Sequence, residues 1–294
     1  MIHRKVIILM IGLIVALPFA AFGQSNLESV RLFQSYFFDV PVTQNKLVEG
    51  DVAFSNYDGG SAFSLGPRGA YPVNEKIEVD AQLHFASMNP DYGDGQSGLT
   101  DLGIYGRYFL QKKEKTSFSA GAMLTLPIGS DKIYLTNYGF QSLGASVLNF
   151  GAFGAMRHQL ANGMVFTANA GLFFYEVPDY SVDIDDSDWD DWNWDDYGYS
   201  PSSVSSVAAT SADDDDDTKR ETSFNLGAGV IYPFDAKLNI VGEFYMMSEG
   251  DFMMLSGGAD YKLGKGRKVR GMLGLGLDDG APDFMILAGY ELTL

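Results

Sequence analysis

Residues 76–87 read Lys-Ile-Glu-Val-Asp-Ala-Gln-Leu-His-Phe-Ala-Ser. Ile77, Val79, Ala81, Leu83 and Phe85 fall on one side of this stretch, and Glu78, Asp80, Gln82 and His84 on the other. A period of two is the signature of a strand with one apolar and one polar face. The same alternation recurs in 99–110, where Leu102, Ile104, Tyr108 and Leu110 oppose Asp101, Tyr105 and Arg107. It recurs again in 237–247, 267–277 and 283–294. Glycine is frequent at 34 residues, aromatics make up 14%, and runs with helical spacing are scarce. The fold class is all-β.

Working outward, the pattern predicts twelve strands. They lie near 47–57, 62–71, 76–87, 99–110, 116–127, 147–159, 163–175, 222–232, 237–247, 251–263, 267–277 and 283–294. Most have the ~9–11 residues that a tilted strand needs to cross a bilayer. The connections sort by parity. Those after even-numbered strands are short, and the three long ones, 88–98, 128–146 and 176–221, all follow odd-numbered strands. Such sorting is expected of a transmembrane antiparallel up-and-down barrel, with short turns at one end and long loops at the other. A count of ten or fourteen strands would satisfy the same rule. In this reading residues 47–294 form the barrel and the long loops project outside the cell.

The N-terminus reads as a secretory signal over residues 1–23. His3, Arg4 and Lys5 precede an apolar run from Val6 to Phe19, and Ala21-Phe22-Gly23 offers a small-x-small cleavage pattern before Gln24. Residues 24–46 form a separate N-terminal segment. Ser25-x-x-Glu28 resembles a capping box, and Leu27, Val30, Phe33 or Gln34, and Phe37 follow at roughly helical spacing. The expectation is a short helix over 25–38 that could obstruct the barrel as a plug. The chain has no cysteine, which excludes disulfides and a lipid-anchored lipoprotein.

A spanning sheet turns its apolar face to lipid and its polar face to the lumen. The inferred lumen then carries Asp51, Glu78, Asp80 and Glu243 against Arg68, Arg107, Arg157 and Arg270. These eight are the candidate lumen-lining residues, either as a network bracing the wall or as the lining of a solute path. Glycines recur on the same face, at 66, 103, 121, 151, 171, 227, 229, 274 and 276, where they permit curvature or leave room for a ligand or the N-terminal segment. Aromatic girdles at the membrane interfaces are assigned to Phe54, Tyr57, Tyr71, Phe85, Tyr108, Phe174, Tyr232 and Tyr290.

Most of the negative charge sits in one loop. The chain has a formal net charge of −18, and 176–221 holds sixteen acidic residues against Lys219 and Arg220. Self-repulsion keeps such a loop solvated and extended. Asp183, Asp185, Asp186, Asp188, Asp190 and Asp191 could offer oxygens to a hard cation such as Ca²⁺, without the turn glycine of an EF-hand. Trp189, Trp192 and Trp194 in the same loop suit a partner or glycan. No resident cofactor is otherwise expected. No phosphate-binding glycine loop, zinc spacing or cysteine nucleophile is present, so no enzymatic activity is expected. The acidic balance disfavours nucleic acid.

Two places carry a resemblance. Gly98 to Tyr108, with Asp101 and Arg107 inside it, looks like the G-x-x-D-x-x-x-x-x-[KR]-Y strand of several bacterial outer-membrane β-barrel families, including some linked to uptake of aromatic compounds. The ending Gly289-Tyr-Glu-Leu-Thr-Leu294 is similar to the signal read by the barrel-assembly machinery, with Leu in place of the usual Phe. The resemblance implies a porin-like or transporter-like barrel in the outer membrane of a Gram-negative bacterium, both ends periplasmic, with lipid, the assembly machinery and a small solute as partners. The competing reading is a non-conducting surface protein whose acidic, Trp-containing loop binds a partner, a surface polymer or a divalent cation.

Overall fold

In the computed structural model the described residues are 30–91, 95–130, 148–178, 218–248 and 252–294. They form one antiparallel sheet that closes on itself. The strands are β1 (Leu47–Tyr57), β2 (Gly60–Pro72), β3 (Ile77–Gln82), β4 (Phe85–Pro90), β5 (Gln96–Leu99), β6 (Leu102–Lys113) and β7 (Thr116–Leu126). They continue as β8 (Asn149–Gln159), β9 (Val165–Pro178), β10 (Thr218–Pro233), β11 (Leu238–Met247), β12 (Phe252–Gly264), β13 (Arg267–Gly276) and β14 (Phe284–Thr293).

Twelve wall strands result, because two are interrupted. β2 pairs with β3 through Arg68 and Gln82 and with β4 through Leu65 and Phe85, in unbroken register. β3 and β4 are therefore halves of one strand, and β5 and β6 are halves of the next. The interruption has a local cause. Gln82 faces Gly103 while Phe85 faces Leu99, so the β5–β6 strand carries one extra residue between them. Thr100 and Asp101 both turn inward there, and the His84 amide donates to Thr100 Oγ1 at 2.9 Å instead of to a ladder carbonyl. This is a β-bulge. β1 pairs with β14 from Leu47 opposite Thr293 to Asn56 opposite Phe284, and with β2 on its other side, which closes the sheet into a barrel.

The alternation read from the sequence sets the two faces. Val48, Leu65, Val79, Leu172, Leu273, Ile286 and Tyr290 point outward and are 39–58% exposed. Glu49, Asp51, Glu78, Asp80, Arg107, Glu243, Asp260 and Arg270 point inward and are at most 3% exposed. An apolar exterior around charged, buried side chains inverts the plan of a water-soluble protein and matches a closed sheet in lipid. Tyr57 departs from the expected girdle. It stands on the inward parity of β1 and packs against Ala62 and Ala86.

The N-terminal segment lies within the barrel. Val30 to Val40 are all buried. The helix expected over 25–38 does not form among its described residues. Only Tyr36–Phe38 make a short 3-10 turn, closed by the Phe38 amide on the Ser35 carbonyl. The reason is that the wall satisfies this backbone instead, as set out below.

Candidate functional site

The site is the junction between residues 30–43 and the inner wall. Its organising feature is a belt of charged side chains from the strand halves nearest the short turns. β1, β2, β3, β6, β8, β11, β12, β13 and β14 supply them, each at an inward position of the period-two pattern.

One part of the belt holds the segment by its side chains. Arg31 donates through Nη2 to Glu78 Oε1 at 2.5 Å. The Thr43 amide and hydroxyl donate to the other Glu78 oxygen at 2.5 and 2.6 Å. Arg157 Nε donates to Asp39 Oδ1 at 2.7 Å and its Nη2 to Asp39 Oδ2, a two-pronged pair. Each charge in these pairs is removed from water, so each depends on its partner.

Another part holds the segment by its backbone. Glu243 on β11 accepts three consecutive amides: Phe33 and Gln34 on Oε2 at 2.9 and 2.8 Å, and Ser35 on Oε1 at 2.7 Å. Carbonyls are met by arginines. Arg157 Nη2 reaches Val30 O at 2.6 Å, Arg107 Nη1 reaches Asp39 O at 2.8 Å, and Arg270 Nη2 donates to the carbonyls of Arg31 and Leu32. A buried backbone must place its polar groups somewhere. Here charged wall side chains take the place of a helix's internal ladder.

The remaining charges pair along the wall. Arg68 bridges Glu49 at 2.7 Å and Asp51 at 3.2 Å, and Asp51 also meets His84 Nε2 at 3.0 Å. Arg107 lies 2.5 Å from Asp80 and 3.1 Å from Glu78. Arg270 joins Glu49 at 3.2 Å and Asp260 at 3.5 Å, while Lys268 joins Glu291 at 2.7 Å and Asp260 at 3.6 Å.

Apolar packing completes the junction. The Phe37 ring stacks on Tyr105 with centroids 4.0 Å apart, and Phe38 meets Phe153 and Phe173 at 5.2 and 5.4 Å. The Arg68 guanidinium lies 3.9 Å over the Tyr36 ring. The wall makes space for the segment by omitting side chains. A Cβ at Gly229 would lie 2.8 Å from Leu32 and one at Gly227 2.6 Å from Ser35 Oγ, while one at Gly258 would meet both the Phe33 ring at 2.6 Å and, closer still, the Gly271 carbonyl of the next strand. Other inward glycines receive neighbours from the wall itself, as Gly121 does for Phe153 and Gly274 for Met254.

All eight candidates, Asp51, Arg68, Glu78, Asp80, Arg107, Arg157, Glu243 and Arg270, lie on the inward face. Glu78, Arg107, Arg157, Glu243 and Arg270 touch the N-terminal segment directly. Asp51, Arg68 and Asp80 serve it through the wall pairs, and Arg68 also through Tyr36. Sequence reasoning omitted Glu49, Asp260, Lys268 and Glu291, although strand parity was enough to place them inward. It also omitted Arg31 and Asp39, which stand where no periodicity marks a face. The aspartates proposed for Ca²⁺, Asp183, Asp185, Asp186, Asp188, Asp190 and Asp191, lie outside the described residues, as do the signal sequence and the tryptophans.

Solved structures share this architecture. An outer membrane channel from Pseudomonas putida F1 superposes with a TM-score of 0.59 at 13% identity, covering 88% of this chain and 98% of that one. The KdgM porin gives 0.50 at 10% identity, covering 84% and 99%. The NanC porin gives 0.50 at 10% identity, covering 83% and 100%. The fold is that of the outer-membrane β-barrel channels. No protein-family model and no curated protein matches the sequence. At these identities the likeness is one of architecture.

Proposed function

We propose that this chain is a passive channel for small solutes in the outer membrane of a Gram-negative bacterium, held closed in the described conformation by residues 30–43. Its ends lie in the periplasm in this reading, and the barrel-assembly machinery inserts it.

The observation that carries this is how the interior is filled. A barrel of about eight strands is closed by its own side chains, while about sixteen leave an open channel. This barrel has twelve, and its wall bears glycine at 227, 229 and 258, where a separate stretch of chain then lies. A wall shaped around a removable segment suits a path that can be blocked and cleared. A purely structural barrel would fill the same space with larger wall residues.

Cysteine pairing tests the reading directly, because the chain has no cysteine of its own. The Ser35 Oγ and a Cβ at Gly227 are 2.6 Å apart, close enough for Ser35→Cys and Gly227→Cys to form a disulfide. The oxidised pair in a planar bilayer should show no conductance, and reduction should restore openings. Equal conductance in both states refutes closure by the segment. Silence of the reduced pair, of the wild-type chain and of a chain lacking residues 24–46 refutes the channel.

A further inference from the structure

The charges that surround the segment are not balanced, and the imbalance bears on what the cleared path would pass. Among the described residues the buried wall carries Glu49, Asp51, Glu78, Asp80, Asp101, Glu243, Asp260 and Glu291. Against these eight acids stand five bases: Arg68, Arg107, Arg157, Lys268 and Arg270. His84 adds a charge beside Asp51 only when protonated. Four of the five bases lie within ion-pair distance of a wall acid, so their fields are largely spent on the wall itself. Arg157 makes its pair with Asp39 of the segment.

Glu243 differs from the other acids. No basic side chain pairs with it among the described residues, and its carboxylate is met by the amides of Phe33, Gln34 and Ser35. Those donors leave with the segment. Glu78 likewise loses Arg31 and the two donors of Thr43, keeping among the described residues the Arg107 it shares with Asp80. Arg157 loses Asp39 in the same step. Withdrawal thus strips donors from two carboxylates and one acid from a guanidinium, on a wall already richer in acid. In a narrow, low-dielectric interior a net negative lining attracts cations and repels anions.

We infer that the path opened by withdrawal of residues 30–43 prefers small cationic solutes, and that Glu243 is the residue that sets this preference. The inference rests on the channel reading above and names its solute class. Within it, the segment is a resident stand-in for the solute: Arg31 and the amides of 33–35 put hydrogen-bond donors where a cation would sit.

The test uses the full-length chain with Phe33→Ser and Phe38→Ser, which loosens the segment without altering a wall charge. Potassium chloride at unequal concentrations across a planar bilayer gives the permeability ratio of K⁺ to Cl⁻. A severalfold preference for K⁺ is expected. Adding Glu243→Gln should move the ratio toward unity, while adding Arg157→Gln should raise it. Preference for Cl⁻, or a ratio that Glu243→Gln leaves unchanged, overturns the inference while the channel reading stands. Brief openings of the wild-type chain supply the same ratio if the double variant does not give a heat-modifiable, folded barrel. Absence of current from every folded variant and from the wild type overturns the channel reading, and this inference with it.

Discussion

Arg157 Nε donates to Asp39 Oδ1 at 2.7 Å while its Nη2 reaches the second oxygen of the same carboxylate, so a wall strand grips the N-terminal segment at two points. Both groups are buried. Asp39→Asn removes the charge that offsets Arg157 and should weaken seating of the segment by about 3–5 kcal/mol. Combining it with Arg157→Met should cost less than the two single changes added together. Protease resistance of residues 30–41 in the refolded barrel is the readout. Strict additivity would mean that the two residues do not act as a pair.

Glu243 makes a second, different grip, because it holds backbone rather than side chain. Glu243→Gln keeps one acceptor oxygen but presents an amide group to at least one of the three donors. Hydrogen bonds to a charged acceptor contribute about 1.5–3 kcal/mol each. Exchange of the Phe33, Gln34 and Ser35 amides should therefore quicken by at least about tenfold. The Leu238–Met247 ladder should keep its protection, since its bonds to β10 and β12 are untouched. Unchanged exchange at 33–35 would remove Glu243 from the account of how the segment is seated.

The wall was legible in the sequence because a closed sheet in lipid has a strict two-residue code and no alternative partner for its backbone. Leu47–Tyr57 and Leu238–Met247 fall within a residue of the spans read from alternation alone. The interruption at Leu83 and His84 was not legible, since it arises from one extra residue in the neighbouring strand. Tyr57 was misplaced because an aromatic ring near a strand end fits either a lipid girdle or an inward corner. Arg31 and Asp39 were beyond reach for a deeper reason. Their segment has no regular structure of its own, so its sequence carries no period, and its conformation is dictated by groups 35–239 residues away. Its weak helical spacing lost to the charged side chains that claim its amides and carbonyls.

The glycines of the wall divide by the space around them. A Cβ at Gly229 would press on Leu32 at 2.8 Å. Gly154 and Gly242 have nothing within 4 Å of an added Cβ. Gly229→Leu should expel the segment while the barrel still forms, raising both protease sensitivity of 30–41 and conductance. Gly154→Ala and Gly242→Ala should leave the segment in place and stabilise the strands by about 0.5–1 kcal/mol, the usual difference between glycine and alanine in a strand. Equal protease sensitivity in the two sets would show that the inward glycines serve curvature alone.

Leu273 tests the environment of the outer face. It is 58% exposed, between Gly257 on β12 and Ile286 on β14. On a protein surrounded by water, Leu273→Lys would lie near neutral, because surface substitutions away from special features shift stability by only about 0.5 kcal/mol. In a lipid-facing wall the same ammonium has no water to keep, and the cost rises to about 2–4 kcal/mol near the bilayer midplane. Urea titration of folding into phospholipid vesicles measures the difference. The inward-facing Ser256→Lys is the matched control, since it adds the same charge to a face that already holds Asp260 and Glu243. If Leu273→Lys is as well tolerated as that control, the outer face does not meet hydrocarbon and the membrane assignment falls. If the cost appears for Leu273 alone, the exposed apolar belt and the buried charges have a single explanation: lipid lies outside this sheet and polar groups are confined within it.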